Sequence, residues 1–400
     1  MNDAAHAPPA AISRPADPPP VWLLAMMTSL GPLSTDLYLP ALPMIGTDFG
    51  AGPAAVQWTL SGFLFGFAPA MLVFGPLADR FGRRPVMLAG GVLFLLASLL
   101  CALAPTLSWL VVARVLQAIG ACSGPVLVRA IVRDTIPPAR IAAVMATISG
   151  IMSLAPAVGP VLGGLVLQVA GWRACFALLA LGAAGLIVVL WRRLPETAPA
   201  LDPHATRATA LVAALAEFAA SRPFRVNVAI STGSYAALFG FISGGTYVIQ
   251  QGLGLSPTGF GICFGVVAFA YFVGAMVSRS ISTRLGPRRM VMIGATLACV
   301  VSVAGLVALL VFGPSLATIL TPPAAAMVGF AFTQPNAMAG AVTPFPHMAG
   351  RASSALGFVQ WGIAALSGVV LASVLDLGGI ALASFTAAWT VLALAAASRL

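Results

Sequence analysis

The sequence predicts an all-α membrane protein in which twelve transmembrane helices form two pseudo-symmetric six-helix bundles. Of its 400 residues, 60% are hydrophobic and only 8% are charged, whereas a soluble domain carries about 25% charged residues. Uncharged apolar runs, separated by glycine and proline, are long enough for about twelve spans of ~20 residues each. Two short basic segments also recur in the second half of the chain, which predicts a duplicated unit.

The first arginine-rich segment, 80–84, resembles 284–288, and the segment 140–145 resembles 351–356. Each pair occupies the same place in its half: after the second span and at the start of the fifth. Short basic matches can arise by chance, but two matches at nearly the same offset favour a duplication. Repeats of this kind place a substrate site between the halves, near the middle of the membrane.

The domain organisation follows from the apolar runs. The predicted spans are 21–45, 56–78, 86–104, 107–132, 140–168, 171–191, 224–249, 257–281, 290–312, 316–344, 350–375 and 378–397. The predicted units are a Pro/Ala-rich disordered cytoplasmic tail (1–20), an N-terminal six-helix bundle (21–191), a cytoplasmic linker (192–223) and a C-terminal six-helix bundle (224–400). A surface helix is expected within the linker, at 208–220.

The distribution of arginine predicts the orientation. The net charge is +10, and the arginines cluster in loops on one side, while the opposite loops contain essentially only Arg173. Basic loops remain in the cytoplasm, so we expect both termini on the cytoplasmic side of the inner (cytoplasmic) membrane. Because these arginines lie between apolar runs, they do not indicate a nucleic-acid partner.

The loop after the second predicted helix resembles the signature loop of the major facilitator superfamily. It comprises Gly75, Asp79, Arg80, Gly82, Arg83 and Arg84. Glycine at 75 allows close helix approach and glycine at 82 a tight turn. The resemblance implies that Asp79 lies against the start of helix 11 in the outward-facing state, where a helix N-terminus favours a carboxylate. It also implies that Arg83 lies against an acid at the end of helix 4, which is Asp134 here.

Two isolated charges lie inside predicted spans: Asp36 in helix 1 and Arg114 in helix 4. Arg114 is roughly 10 Å deep, and with Gln117 it resembles the second motif of the same superfamily. Intramembrane charges are costly and are functional candidates by default, so we expect Asp36 and Arg114 to couple transport to protons, with the charge of Arg114 acting directly on Asp36. We expect Tyr38 and Gln117 to line the substrate cavity. The alternatives are that Arg114 extends to the interface and that Asp36 occupies a wet helix break.

Two further motifs point to a subgroup. The string 35–43 resembles the Bcr/CflA group of bacterial drug-resistance exporters. Helix 5 resembles the motif of drug/proton antiporters, with an alanine at 155 where glycine is usual, although glycine and proline are common in membrane helices generally. The motif residues are Pro156, Gly159, Pro160, Gly163 and Gly164.

These resemblances imply a proton-driven antiporter that exports small amphipathic compounds by alternating access, as a monomer and without a cofactor. An exporter of one endogenous metabolite, such as a sugar or amino-acid derivative, is the alternative. An enzyme is disfavoured because the sequence has no histidine cluster and no catalytic or metal-ligand set. An ATP-driven pump is excluded in this chain because a Walker A loop needs a lysine and the sequence contains none. A channel is disfavoured because helix-breaking glycines in many spans suit moving bundles better than a fixed pore.

Overall fold

The computed structural model describes residues 18–400, and these residues form helices and loops. The α-helices are α1 (Val21–Asp36), α2 (Leu42–Phe49), α3 (Pro53–Phe81), α4 (Arg83–Ala102), α5 (Leu107–Thr135), α6 (Pro138–Met152), α7 (Leu154–Arg193), α8 (Ala208–Ala220), α9 (Arg222–Tyr247), α10 (Pro257–Phe312), α11 (Leu316–Val342), α12 (Ala349–Ala372) and α13 (Gly379–Ala397). The linker helix predicted at 208–220 is present as α8. Most of the predicted tail lies outside the described residues.

Within this part of the chain, ten segments are long and apolar enough to cross a membrane. The segment Pro138–Arg193 has 56 residues, which at 1.5 Å per residue would extend about 84 Å and cross twice. Its chain turns at Gly171, whose φ is 75°. The remaining crossing is the first, which is split between α1 and α2, so twelve crossings result and the predicted fold class is confirmed.

Proline breaks the first span, so the prediction of one continuous helix over 21–45 is wrong. Pro40 and Pro43 lack the N–H groups that would bond the carbonyls of Asp36 and Leu39 four residues earlier. The chain therefore forms a 3₁₀ turn at Leu39–Ala41 before it resumes as α2. The break leaves Asp36 as the last residue of α1.

The fifth span is interrupted in the same way between α6 and α7. Pro156 cannot donate to the carbonyl of Met152, and α6 ends at that residue.

The basic loops of the two halves share a backbone conformation. Gly82 has φ 99° and ψ 155°, and Gly286 has φ 74° and ψ 162°. Residues with a side chain rarely adopt such positive φ values. Both glycines lie in the recurring basic segment of their half, which supports the duplication predicted from the sequence.

The two halves meet along two helix pairs: α3 packs against α12, and α7 packs against α10. We call the face that carries the α3–α4 loop and residues 194–207 the linker side, and the other face the opposite side.

Candidate functional site

Asp36 is a buried carboxyl group without a charged partner. Its exposed fraction is 5%, and its one side-chain hydrogen bond is the one that the Thr35 hydroxyl donates at 3.3 Å. Among the ion pairs formed within residues 18–400, none involves Asp36. Tyr235 of α9, in the other half, lies within electrostatic range. Because an unpaired buried charge is very costly, this group is suited to bind a proton or to meet a cation.

Arg114 is fully buried but does not pair with Asp36. Its Nη1 donates to the Ser34 carbonyl at 2.9 Å and to Oε1 of Gln117 at 2.6 Å. Its Nε donates to the Thr59 carbonyl at 3.2 Å. The Ser34 carbonyl belongs to the last turn of α1, where carbonyls lack intrahelical donors. Arg114 and Asp36 form no ion pair within the described residues, so the expectation that Arg114 acts directly on Asp36 is wrong. Nε and Nη1 of Arg114 bond to groups of three helices, while its Nη2 is buried without a hydrogen-bond partner among the described residues.

Aromatic rings complete the surroundings of Arg114. Its guanidinium carbon lies 4.3 Å from the ring centroid of Tyr38 and 4.4 Å from that of Phe63. Cation–π contacts of this kind stabilise a desolvated arginine by about 2 kcal/mol. The arginine therefore belongs to the interior of the N-terminal half, and the interpretation that it extends to the interface is also wrong.

Tyr38 and Gln117 do not line a cavity, contrary to the prediction. Both are fully buried. The Tyr38 hydroxyl shares a 3.1 Å hydrogen bond with the Thr59 hydroxyl, and Nε2 of Gln117 donates to Oγ of Ser98 at 2.8 Å. Since each group already has partners inside the N-terminal half, these residues position Arg114 and the α1 break.

The glycines of α7 let α1 approach closely at Asp36. A Cβ at Gly159 would lie 2.9 Å from the Cβ of Asp36, and one at Gly163 would overlap the carbonyl oxygen of Leu37. Any larger residue would push α1 away. The predicted antiporter helix thus contacts the backbone at the end of α1, just before the break.

The same helix also contacts the C-terminal half. A Cβ at Gly164 would lie 2.9 Å from Cα of Thr258, and one at Gly261 would lie 2.7 Å from the Pro160 carbonyl oxygen. Small residues at these points allow α7 and α10 to meet backbone to backbone. The contact lies toward the opposite side, where it closes the space between the halves.

A second contact closes the opposite side, and the sequence did not reveal it. Thr246 donates its hydroxyl to the Leu39 carbonyl at 3.0 Å, and Gln250 donates Nε2 to the Pro40 carbonyl at 3.1 Å. Pro43 cannot donate to the Leu39 carbonyl, which accepts the Leu42 N–H in the 3₁₀ turn in addition to the Thr246 hydroxyl. The break could have been predicted from the proline spacing, but the partner 207 residues away could not.

Aromatic residues from both halves meet at the centre of the molecule. The ring centroids of Phe67 and Trp361 are 4.5 Å apart, and those of Trp361 and Tyr235 are 5.3 Å apart. Tyr235 and Trp361 are half-buried. These rings are better placed to contact a ligand between the halves than Tyr38 is. No motif in the sequence distinguishes them from the other aromatic residues of the predicted spans.

A buried amide network lies in the C-terminal half. Oε1 of Gln360 accepts hydrogen bonds from the Ser231 hydroxyl at 2.7 Å and from Nε2 of Gln334 at 2.9 Å. The three residues come from α9, α11 and α12, so this network joins three helices within one bundle.

The signature loop contains a chain of charges. Nη1 of Arg83 donates to Asp79 at 2.6 Å, and its Nε donates to Asp134 at 3.1 Å. The second pair is the one that the resemblance implied. Asp79 remains 44% exposed and lines a cavity together with Gly350 of α12 rather than bonding to that helix. Gly75 has open space around it, so no close helix approach explains it in this conformation.

Glu196 supports this loop from the linker, and sequence reasoning missed it. Its carboxylate accepts the backbone N–H of Arg83 at 2.8 Å and of Arg84 at 3.2 Å. These are the first N–H groups of α4, which a carboxylate caps favourably. Arg80 adds a further tie, since its Nη1 donates to the Thr206 hydroxyl at 2.9 Å. The linker is therefore bound to the N-terminal half.

Comparisons with known proteins agree with the architecture. Residues 24–369 match the family described as the Major Facilitator Superfamily. Multidrug resistance protein MdtL of Escherichia coli (strain K12 / DH10B) is 32% identical over 334 residues, which are 83% of this chain and 82% of that protein. An uncharacterized MFS-type transporter, YdgK, of Bacillus subtilis (strain 168) is 32% identical over 341 residues, 84% of each chain. The crystal structure of a D-xylose-proton symporter superposes with a TM-score of 0.74 at 15% identity, covering 94% of this chain and 95% of the other, which concerns the fold alone.

Proposed function

Because this chain belongs to the Major Facilitator Superfamily, we propose that it is a proton-coupled exporter of small amphipathic molecules. Its family and relatives are transporters rather than enzymes. Two relatives are named multidrug resistance proteins, and they are 28% and 32% identical to it. The finer assignment to the Bcr/CflA group is part of the same proposal and rests on the string 35–43.

The observation that carries the proposal is the burial of the Asp36 carboxyl group. Among the described residues this buried carboxyl group has no cationic partner. It ends a broken helix, lies against Gly159 of α7 and is within electrostatic range of Tyr235 of the other half. A group in this position can bind a proton from one side and release it when a substrate displaces it. Arg114 then has a positioning role, since it holds the final turn of α1 rather than the carboxylate.

The proposed transport cycle is alternating access. The contacts of α7 with α10 and of the 3₁₀ turn Leu39–Ala41 with α9 close the opposite side, while a cavity of about 630 Å³ lies on the linker side. We propose that the linker side is cytoplasmic, because the arginine clusters lie there, so this conformation faces inward. Both termini would then be cytoplasmic, in the inner membrane, and the exporter would act as a monomer driven by the proton gradient without a cofactor.

The test replaces Asp36 with asparagine, which resembles the protonated acid in shape and charge. Purified protein in proteoliposomes is assayed for gradient-driven export and for proton release on adding substrate, using a panel of neutral and cationic drugs and single metabolites. We expect Asp36→Asn to abolish both signals and Asp376→Asn, a change at an exposed loop acid, to leave both unchanged. Export of a neutral drug by Asp36→Asn that still stops when the proton gradient collapses would show that Asp36 is not the coupling group. A response to one metabolite alone would favour the narrower exporter.

A further inference from the structure

The linker-side cavity is lined mainly by positive charge. It has a volume of about 630 Å³ and lies between α3, α5, α8 and the start of α12. Among the described residues that line it, four are arginines and one is a carboxylate, Asp79. That carboxylate is already bound to Arg83 at 2.6 Å, so it offsets little of the remaining charge.

Arg129 is the most informative of these arginines because it is not part of a loop. It lies within α5, six residues before the helix ends at Thr135, which is about 9 Å along the axis. Its Nη1 donates to the hydroxyl of Ser353 on α12 at 2.8 Å, and a hydroxyl leaves the positive charge uncompensated. The positive-inside rule explains arginines in loops and at helix ends, but not one at this depth that faces a cavity.

The start of α12 adds to the positive electrostatic potential in the same cavity. Ala349, Gly350 and Arg351 of its first turn line the cavity, and no side chain caps the helix at Met348. The N-terminus of a helix carries a partial positive charge and free N–H groups, which favour anions. Arg351 and Arg129 form no ion pair within the described chain. Two unpaired guanidinium groups and a helix N-terminus therefore converge from both halves on one space.

The rest of the lining is apolar. Leu72 of α3 and Leu211 and Leu215 of α8 face the same cavity. A ligand that satisfies the whole surface would carry a negative group for the arginines and a hydrocarbon or aromatic part for the leucines.

From these observations we infer that the linker-side cavity binds an amphipathic organic anion, with its carboxylate, sulfonate or phosphate between Arg129, Arg351 and the start of α12. The negative group could belong to a soluble molecule or to a lipid headgroup, since the chemistry is shared. This site is separate from Asp36, and its occupancy does not require proton coupling.

The test compares two probes of the same shape, naphthalene-2-carboxylate and naphthalene-2-carboxamide. Their binding to the full-length protein in phosphatidylcholine nanodiscs is measured by titration calorimetry, without transport. We expect the carboxylate to bind about tenfold more tightly than the amide, and to weaken as salt is added. Arg129→Gln and Arg351→Gln should each weaken the carboxylate by about three- to tenfold and leave the amide unchanged. The unchanged amide affinity also shows that the variants are folded.

Arg140→Gln is the matched control, because it removes an exposed arginine of the same side that does not line the cavity. Equal affinity for the two probes, no binding of either, or equal effects of Arg129→Gln and Arg140→Gln would overturn the proposal.

Nanodiscs that contain phosphatidylglycerol separate the two sources of the anion. If the carboxylate loses affinity there, a lipid headgroup occupies the site; if it does not, the site takes soluble anions. Since no proton or transport signal is read, failure of the proposed exporter function would leave this result unaffected.

Discussion

Replacing Thr246 with valine should open the opposite side of the protein. The substitution keeps the shape of the side chain and removes the hydroxyl that donates to the Leu39 carbonyl at 3.0 Å. The Leu42 N–H also donates to that carbonyl within the 3₁₀ turn, so in the closed state the variant loses one of the two hydrogen bonds that the carbonyl accepts. When the opposite side opens, water can replace the hydroxyl, and the cost disappears. The variant therefore destabilises one conformation and leaves the other unchanged.

The magnitude follows from the contacts at the break. The net contribution of one hydrogen bond is about 0.5–1.5 kcal/mol. Gln250 bonds to the Thr246 hydroxyl at 2.8 Å and can still hold the Pro40 carbonyl in the variant, so that contact between the halves remains. A change of about 0.5–1.5 kcal/mol shifts the ratio of open to closed molecules by about 2- to 13-fold.

The assay is a distance distribution between spin labels at Thr47 and Gln251, which are exposed on the opposite side of the two halves. Four of the five native cysteines are buried and only Cys299 is partly accessible, so Cys299→Ala prepares the background. We expect Thr246→Val to raise the population with a long distance. Thr386→Val is the control, because that hydroxyl bonds a carbonyl of its own helix. The same distribution in both variants would refute the role of the Thr246 contact.

Three further outcomes are expected. Gly163→Ala should lower thermal stability by about 1–3 kcal/mol, because its Cβ overlaps the α1 backbone, whereas Gly182→Ala has open space; equal melting temperatures would contradict this. Arg114→Gln should leave the buried Ser34 carbonyl oxygen without its donor, at about 1–3 kcal/mol, and reduce the folded amount seen in size-exclusion chromatography at every pH. A well-folded variant with only an upward shift of its pH optimum would instead restore the direct coupling that the sequence predicted. Reporter fusions at Gly252 should report the outside and fusions at Thr206 the inside; the reverse at either position would exclude the proposed orientation.

The sequence by itself determined the class of the molecule. Low charge and long apolar runs leave no alternative to a helical membrane protein, because lipid offers no partners to backbone polar groups. The spacing of prolines and glycines also predicted several local features, such as the tight turn at Gly82. The pair of Arg83 with Asp134 followed from a family resemblance and lies where that resemblance implied.

Only the tertiary structure decided what the buried groups contact. Depth along a helix is readable from the sequence, but the direction in which a side chain points depends on packing. Asp36 and Arg114 have comparable predicted depth, yet one faces the other half and the other is enclosed by Tyr38 and Phe63. The breaks at Pro40 and Pro156 turn these helices in ways that 3.6-residue periodicity does not describe.

The contacts between distant parts of the chain were likewise beyond the sequence. The helix cap that Glu196 provides, the Thr246 bond to the α1 break, and the joint lining of one cavity by Arg129 and Arg351 each join segments more than a hundred residues apart. Local sequence patterns predict which segments can lie in lipid and which residues interrupt a helix. They do not predict which carbonyl or cavity a side chain contacts, because that depends on how all the helices pack together.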